Sequence, residues 1–374
     1  MIYLDYAATT PLDPEVRAAL EEVLEVYGNP SSIHGYGRQA RSLLEVSRER
    51  LARALGCKPR ELILTSGGTE ADALALYGLA LAQGRGHLLS TRVEHSAVLL
   101  ALKNLERLGY AVTLLEPDRY GLIYPEQVAE AIRADTVLVS VMAVNNEIGT
   151  LYPVRQIAEV CHARGVLLHT DAVQALGSVP CTVEALGADL ISLAAHKFYG
   201  PKGVGALYVR KGIELFPILP GKQEQGYRGG TENLPAVYGM GLAAEKAVAL
   251  LEEESQRMLA LRGRLEAQLL ALPGVELNGH PALRSPKHLN VTVRDADGEG
   301  LLLNLDLLGV AASSGSACSS GSLEPSHVLR AIGRSKEEAK ASVRFSLGRF
   351  TTEAEIDQAA RVFAEAVGRS RVYA

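Results

Sequence analysis

From about residue 61 to residue 210, short apolar runs alternate with stretches in which apolar residues recur every three or four positions. The first kind reads as strands buried on both faces, the second as amphipathic helices. Strands are expected at 61–65, 87–90, 111–115, 136–142, 166–170, 190–193 and 205–209, with helices at 69–81, 96–108, 125–133 and 153–163. Strands spaced by helices imply an α/β domain whose largely parallel sheet is covered on both faces. Ligands in such sheets bind at the carboxyl ends of the strands, where the βα loops cluster.

A long helical stretch follows from about 235 to 272, acidic at Glu252-Glu253-Glu254, a charge run expected to form a solvated face. Beyond Pro273 the rhythm changes, with strands expected at 288–294 and 342–347 and a helix at 300–308. The last helix opens on Thr352-x-x-Glu355, a capping box in which each side chain satisfies the other residue's exposed backbone N–H. This portion reads as a smaller α+β domain reached through the long helix. The division expected is 12–255 for the large domain, and 1–11 with 256–374 for the small one.

Length supports the same division, since 374 residues exceed one ordinary small domain. With 47% hydrophobic and 22% charged residues, the chain can bury a large core and stay dissolved. A net charge of -5 without any lysine-arginine block argues against nucleic acid or a membrane surface as the main partner. The first ten residues carry no basic region and meet an acid early, unlike a signal peptide, and no apolar run approaches a membrane span. Cys57, Cys161, Cys181 and Cys318 show no C-x-x-C spacing, so free thiols in a reducing cytoplasm are expected, and no metal site.

Candidate chemistry gathers at the strand ends. Lys197, in Ser192-Leu-Ala-Ala-His-Lys197, leaves a strand for a Gly/Pro turn, where a lysine can form a Schiff base with an aldehyde cofactor or simply sit on the rim. His169-Thr-Asp-Ala-Val-Gln174 brings Asp171 and Gln174 to the same edge. A buried Asp opposite a pyridine nitrogen keeps it protonated, which suits pyridoxal phosphate; a helix cap is the plainer role. Ser66-Gly-Gly-Thr69 sits between strand and helix, where backbone N–H groups favour a phosphate dianion. His95 could stack on a flat ring or shuttle a proton, Asn146 could donate an amide, and Arg349 could hold a carboxylate. Each also has a structural reading, as a satisfied histidine, a turn residue and an exposed arginine.

Cys318 lies within Ser313-Ser-Gly-Ser-Ala-Cys-Ser-Ser-Gly-Ser322. So much Ser and Gly favours a mobile, solvated loop, on which a thiol can travel to a substrate as nucleophile or carrier. A flexible linker that happens to contain Cys is the alternative.

Taken together, these segments closely resemble the cysteine desulfurases, pyridoxal-phosphate enzymes of fold type I in the class V aminotransferase group. The match runs nearly end to end. It includes Tyr3-Leu-Asp-Tyr-Ala-Ala-Thr-Thr-Pro11, Ser66-Gly-Gly-Thr-Glu70, Val144-Asn-Asn-Glu-Ile-Gly149, Arg228-Gly-Gly-Thr-Glu-Asn233 and Ser346-Leu-Gly-Arg349. The serine-rich loop, continuing into Leu323-Glu-Pro-Ser326, resembles the long-loop members. The resemblance implies a large domain with a mostly parallel seven-stranded sheet and a smaller α+β domain carrying the Cys318 loop. It implies that Lys197 anchors pyridoxal phosphate, that Asp171 pairs with the ring nitrogen and Gln174 with the phenolic oxygen, and that His95 covers the ring. Gly68, Thr69 and His196 would hold the phosphate, joined by Thr231 from the other subunit of a homodimer. Ala194 stands where many relatives have Ser, leaving only a backbone contact there, while Asn146 would contact the cofactor and, with Arg349, orient the substrate carboxylate. The implied reaction takes L-cysteine to alanine and passes sulfur through Cys318 to an acceptor such as an iron–sulfur scaffold or a tRNA-thiolating enzyme. Selenocysteine lyase, aminotransferase and a non-catalytic persulfide relay are the rival readings.

Overall fold

Every apolar run expected between 61 and 209 is a strand of one sheet in the computed structural model, which describes residues 1–314 and 324–371. Along the chain β1 is Ile2–Tyr3, and the large sheet is built from β2 (Leu62–Thr65), β3 (His87–Thr91), β4 (Ala111–Leu115), β5 (Thr136–Ser140), β6 (Leu167–Asp171), β7 (Leu190–Ala194) and β8 (Gly205–Val209). Their order is β2-β8-β7-β6-β5-β3-β4, a seven-stranded sheet. Neighbours from β4 to β7 run parallel, while β8 is antiparallel to both β7 and β2. A parallel return needs a crossover of a dozen or more residues. The Gly/Pro turn between Ala194 and Gly205 is too short for one, so β8 folds straight back beside β7.

The strand sequences explain the layering. β3, β7 and β8 are buried at every position, whereas β4, on the edge, is half-exposed throughout. One apolar cluster joins the sheet to helices Gly35–Leu55 and Leu234–Ala249, and another joins its opposite face to helices Gly68–Gln83 and Ser96–Arg107. A separate cluster unites Leu4 with β10 (His288–Val293), β12 (Ser342–Ser346) and the helices Leu251–Leu270 and Glu353–Ser370. There β9 (Val275–Asn278), β10 and β12 form an antiparallel sheet in the order β12-β10-β9, and β1 pairs in parallel with β11 (Val310–Ala311).

The single long helix expected over 235–272 is two helices, Leu234–Ala249 and Leu251–Leu270, bent by 71° at Leu250. The first buries small and apolar residues in the large core; the second turns one apolar stripe to the small core. One straight rod cannot serve both. The acidic run is also not wholly solvated, since Glu252 and Glu253 are exposed but Glu254 is buried against Arg349. Among the described residues no single helix is long and apolar enough to cross a membrane.

Candidate active site

The carboxyl ends of β2, β6 and β7 open on a cavity of about 290 Å³. Lys197, His196, Ala194, Asp171, Gln174, Gly68, Thr69, His95 and Asn146 all line it, so the tertiary structure brings these expected site residues together.

Beyond β2 the chain passes Gly67 into the helix Gly68–Gln83, whose first turn has no side-chain cap. A Cβ on Gly205 would lie 2.7 Å from the Gly67 carbonyl carbon, so two backbones touch here and leave no room for side chains. The uncapped N–H groups of the first turn, with the Thr69 hydroxyl, make an anion site at the cavity wall. His196 faces the same space, its Nδ1 3.1 Å from Thr9 Oγ1, and burial beside Lys197 and Lys202 pushes its pKa down to about 4. It is therefore a neutral hydrogen-bonding ring.

Asp171 closes β6, and its Oδ1 accepts the Val173 N–H at 2.9 Å. Burial raises its pKa, opposed by His95, that N–H and Lys197. A cation set against Asp171 restores its charged form. Gln174 donates from Nε2 to the Ala7 carbonyl at 2.9 Å, while its buried Oε1 has no partner among the described residues. His95 caps helix Ser96–Arg107, its Nδ1 accepting the Ala97 N–H at 3.2 Å, which sets the ring's direction. Lys197 Nζ donates to the carbonyls of Ala7 and Ala8 at 2.6 and 2.8 Å, so the N-terminal segment crosses the mouth of the site.

This donor set fits pyridoxal phosphate. The phosphate dianion would meet the uncapped helix start, a protonated ring nitrogen would suit the buried carboxyl of Asp171, the polar amide of Gln174 is only half used, and Lys197 offers an amine.

Arg349 is not among the residues that line the cavity: its Nη1 and Nε pair with Asp13 and Glu254, its guanidinium carbon stacks 4.2 Å from the Tyr199 ring centroid, and its buried Nη2 has no partner among the described residues. Arg344 lines the cavity instead. On β12 Val343, Phe345 and Leu347 enter the small core, so Ser342, Arg344 and Ser346 face the other way. Arg344 Nη1 donates to the Asn146 carbonyl and Nη2 to Asp5 Oδ1, both at 2.8 Å, while its buried Nε has no partner among the described residues. The period-2 alternation of this strand was the available signal. Asn145, next to Asn146, accepts the N–H groups of Glu147 and Ile148 and donates from Nδ2 to the Val93 carbonyl at 2.9 Å, tying this turn to the segment that carries His95.

Thr231 is exposed and outside the cavity of its own chain. Its segment is tied to the phosphate-side helix through Arg228 and Glu70 at 2.9 Å. Cys318 lies outside the described residues. Both flanks of its segment reach the site: Ser313 and Arg344 exchange two backbone hydrogen bonds, Ser326 bonds to Glu147, and His327 Nε2 lies 2.9 Å from the Glu94 carbonyl oxygen. Burial pushes the thiols of Cys57, Cys161 and Cys181 up to about 12, so none of these three offers a thiolate near neutrality.

The family model described as aminotransferase class-V matches residues 2–359. A relative named cysteine desulfurase IscS, from Dictyoglomus turgidum, is 46% identical over 95% of this chain and 92% of its own. Another of that name, from Methanosarcina thermophila, is 46% identical over 99% and 93%. Among solved structures, a NifS-like protein superposes with a TM-score of 0.92 at 35% identity, covering 98% of this chain and 99% of that one. A structure titled "SspA in complex with cysteine" gives a TM-score of 0.84 at 35% identity, over 94% and 100%. This chain belongs to the class-V aminotransferase family, in its branch of pyridoxal-phosphate-dependent cysteine desulfurases.

Proposed function

We propose that the chain converts L-cysteine to L-alanine and carries the released sulfur as a persulfide on Cys318. The observation that supports this reading is the attachment of both flanks of the Cys318 segment to residues at or beside the cofactor cavity. The balance closes: the substrate C–S bond breaks, an S–S bond forms at Cys318, and the two thiol reactants become alanine and a persulfide.

Lys197 would hold the cofactor's aldehyde carbon, Asp171 its ring nitrogen, Gln174 its phenolic oxygen, and His95 and Asn146 its ring. Gly68, Thr69, His196 and the Ala194 backbone would hold its phosphate. Bound pyridoxal phosphate supplies an electron sink for the charge left when a proton leaves the substrate Cα. The Lys197 amine would be the group that moves that proton. Arg344 takes the substrate carboxylate through its unpartnered Nε and the adjoining Nη, with the Asn146 amide beside it. Cys318, as thiolate, attacks the substrate sulfur, and His95 is our candidate for its base.

The working unit is a homodimer in which Thr231 serves the phosphate of the other subunit's site, with 12–255 as large domain and 1–11 plus 256–374 as small. The place of action is the cytoplasm, and the acceptor is a protein such as an iron–sulfur scaffold or a tRNA-thiolating enzyme.

After treatment with L-cysteine, the peptide containing Cys318 should gain the mass of one sulfur atom. C318A should keep its cofactor yet release alanine at least about a hundredfold more slowly. Wild-type alanine release from C318A would end the sulfur-transfer role.

A further inference from the structure

Close to Asp171 the cavity wall holds a second carboxyl group that the reaction above leaves unused. Asp72, on helix Gly68–Gln83, is 1% exposed and lines the same cavity. One oxygen of Asp72, one of Asp171 and a ring nitrogen of His95 lie within 4.8 Å of one another. Asp72 Oδ1 has no hydrogen-bond partner among the described residues. His169 Nε2 stands 3.5 Å from it but is bound to Ser192 Oγ at 2.9 Å.

The groups facing Asp72 are few. β6 contributes Asp171 and His169, and the turn after β3 contributes Glu94 and His95. β7 contributes only the Ser192 hydroxyl, and Lys197 and Arg344 lie elsewhere on the cavity wall. His169 is no counter-cation, because burial pushes its pKa down to about 3. Glu94, fully buried, accepts from Thr91 Oγ1 and the Met142 N–H, and burial pushes it up to about 8. Two carboxyl groups this close inside a protein wall do not both ionise. The neighbours decide where the proton stays. Asp171 has His95, Lys197 and the Val173 N–H in favour of its charge, whereas Asp72 has one hydroxyl and burial beside Asp171 raises its pKa well above the carboxylate range.

We propose that Asp72 is a positioning residue that stays protonated and hydrogen-bonds to Asp171, so that the pair presents a single, oriented negative charge to the cofactor's ring nitrogen. This rests on the pyridoxal phosphate reading of the cavity. It assigns the second acid a task distinct from that of the first: Asp171 touches the cofactor, and Asp72 acts through Asp171.

Two measurements test it. Infrared difference spectra of the purified chain at neutral pH, wild type minus D72N, should show the band of one protonated carboxyl group, with E94Q separating the contribution of Glu94. Absence of that band means an ionised Asp72 and overturns the proposal. In the holoenzyme, the visible absorption of bound pyridoxal phosphate is titrated with pH. D72N keeps a neutral donor and should hold the wild-type midpoint within about twofold in proton affinity, while D72L should move it by about tenfold or more. Equal shifts in both variants, or none in D72L, overturn the proposal. If even the wild type fails to bind pyridoxal phosphate, the functional reading falls, and the infrared result still decides the protonation of Asp72.

Discussion

Arg344 and Arg349 have the same chemistry and opposite surroundings. Arg344 lines the cavity, whereas Arg349 lies outside it against Asp13, Glu254 and Tyr199; each keeps one buried guanidinium nitrogen without a partner among the described residues. R344A should therefore lower kcat/KM for cysteine by about thirtyfold, roughly 2 kcal/mol for charge-assisted bonds to the substrate carboxylate. R344K should recover little, since a point charge cannot reproduce the fork. R349A should leave KM unchanged but cost about 3 kcal/mol of stability, because Asp13 and Glu254 lose a buried cation. Steady-state kinetics beside denaturant melts separate the two, and a raised KM in a normally melting R349A would return the carboxylate to Arg349. The alternation of β12 turns Arg344 away from the small core, but only its neighbours in the fold, Asp5 and Asn146, show that this face lies at the cavity. The commitment of Arg349 was not legible in the sequence, because Asp13 and Glu254 reach it from two distant segments.

Among the elements, the strands of the large sheet were legible to within a residue or two because each is a short apolar run, whereas β1, β9 and β11, short pieces of two to four residues, were not expected. The break at Leu250 was not, since helix-compatible residues continue through it and only the two separate cores demand a 71° bend. Polar positions inside strands carry their own consequence. Ser140, His169 and Ser192 form a chain across β5, β6 and β7, with His169 Nδ1 and Nε2 each 2.9 Å from a serine Oγ. Burial holds His169 near a pKa of about 3, so the folded state keeps it neutral where the unfolded chain, with a pKa of about 6.5, binds a proton. The unfolded state thus binds more protons below about pH 6.5, and stability should fall with acidification at up to ~1.4 kcal/mol per pH unit for this residue. H169Q should flatten that acid limb in urea titrations between neutrality and about pH 5. A slope unchanged from wild type would mean that His169 already takes up its proton in the folded protein.

For the whole molecule, Thr231 stands exposed on a segment anchored to the phosphate-side helix yet outside its own cavity. Under the homodimer proposal, T231A should bind pyridoxal phosphate about tenfold more weakly, for one lost charge-assisted bond of about 1.5 kcal/mol. Mixing T231A with K197A subunits should then restore tight sites in the mixed dimers, because the T231A chain supplies Lys197 and its partner supplies Thr231. Wild-type affinity in T231A, or no recovery on mixing, would refute the shared site. From the sequence alone came the alternation of strands and helices between 61 and 209, the phosphate-side glycines and the placing of Lys197 and Asp171 at the carboxyl ends of neighbouring strands, since these follow from local periodicity and from where βα turns must fall. It took the folded chain to show that Arg344 rather than Arg349 lines the cavity, that Asp72 stands close to Asp171, and that both flanks of the Cys318 segment attach at or beside it. Those outcomes depend on contacts between residues far apart in the chain, which local pattern does not encode.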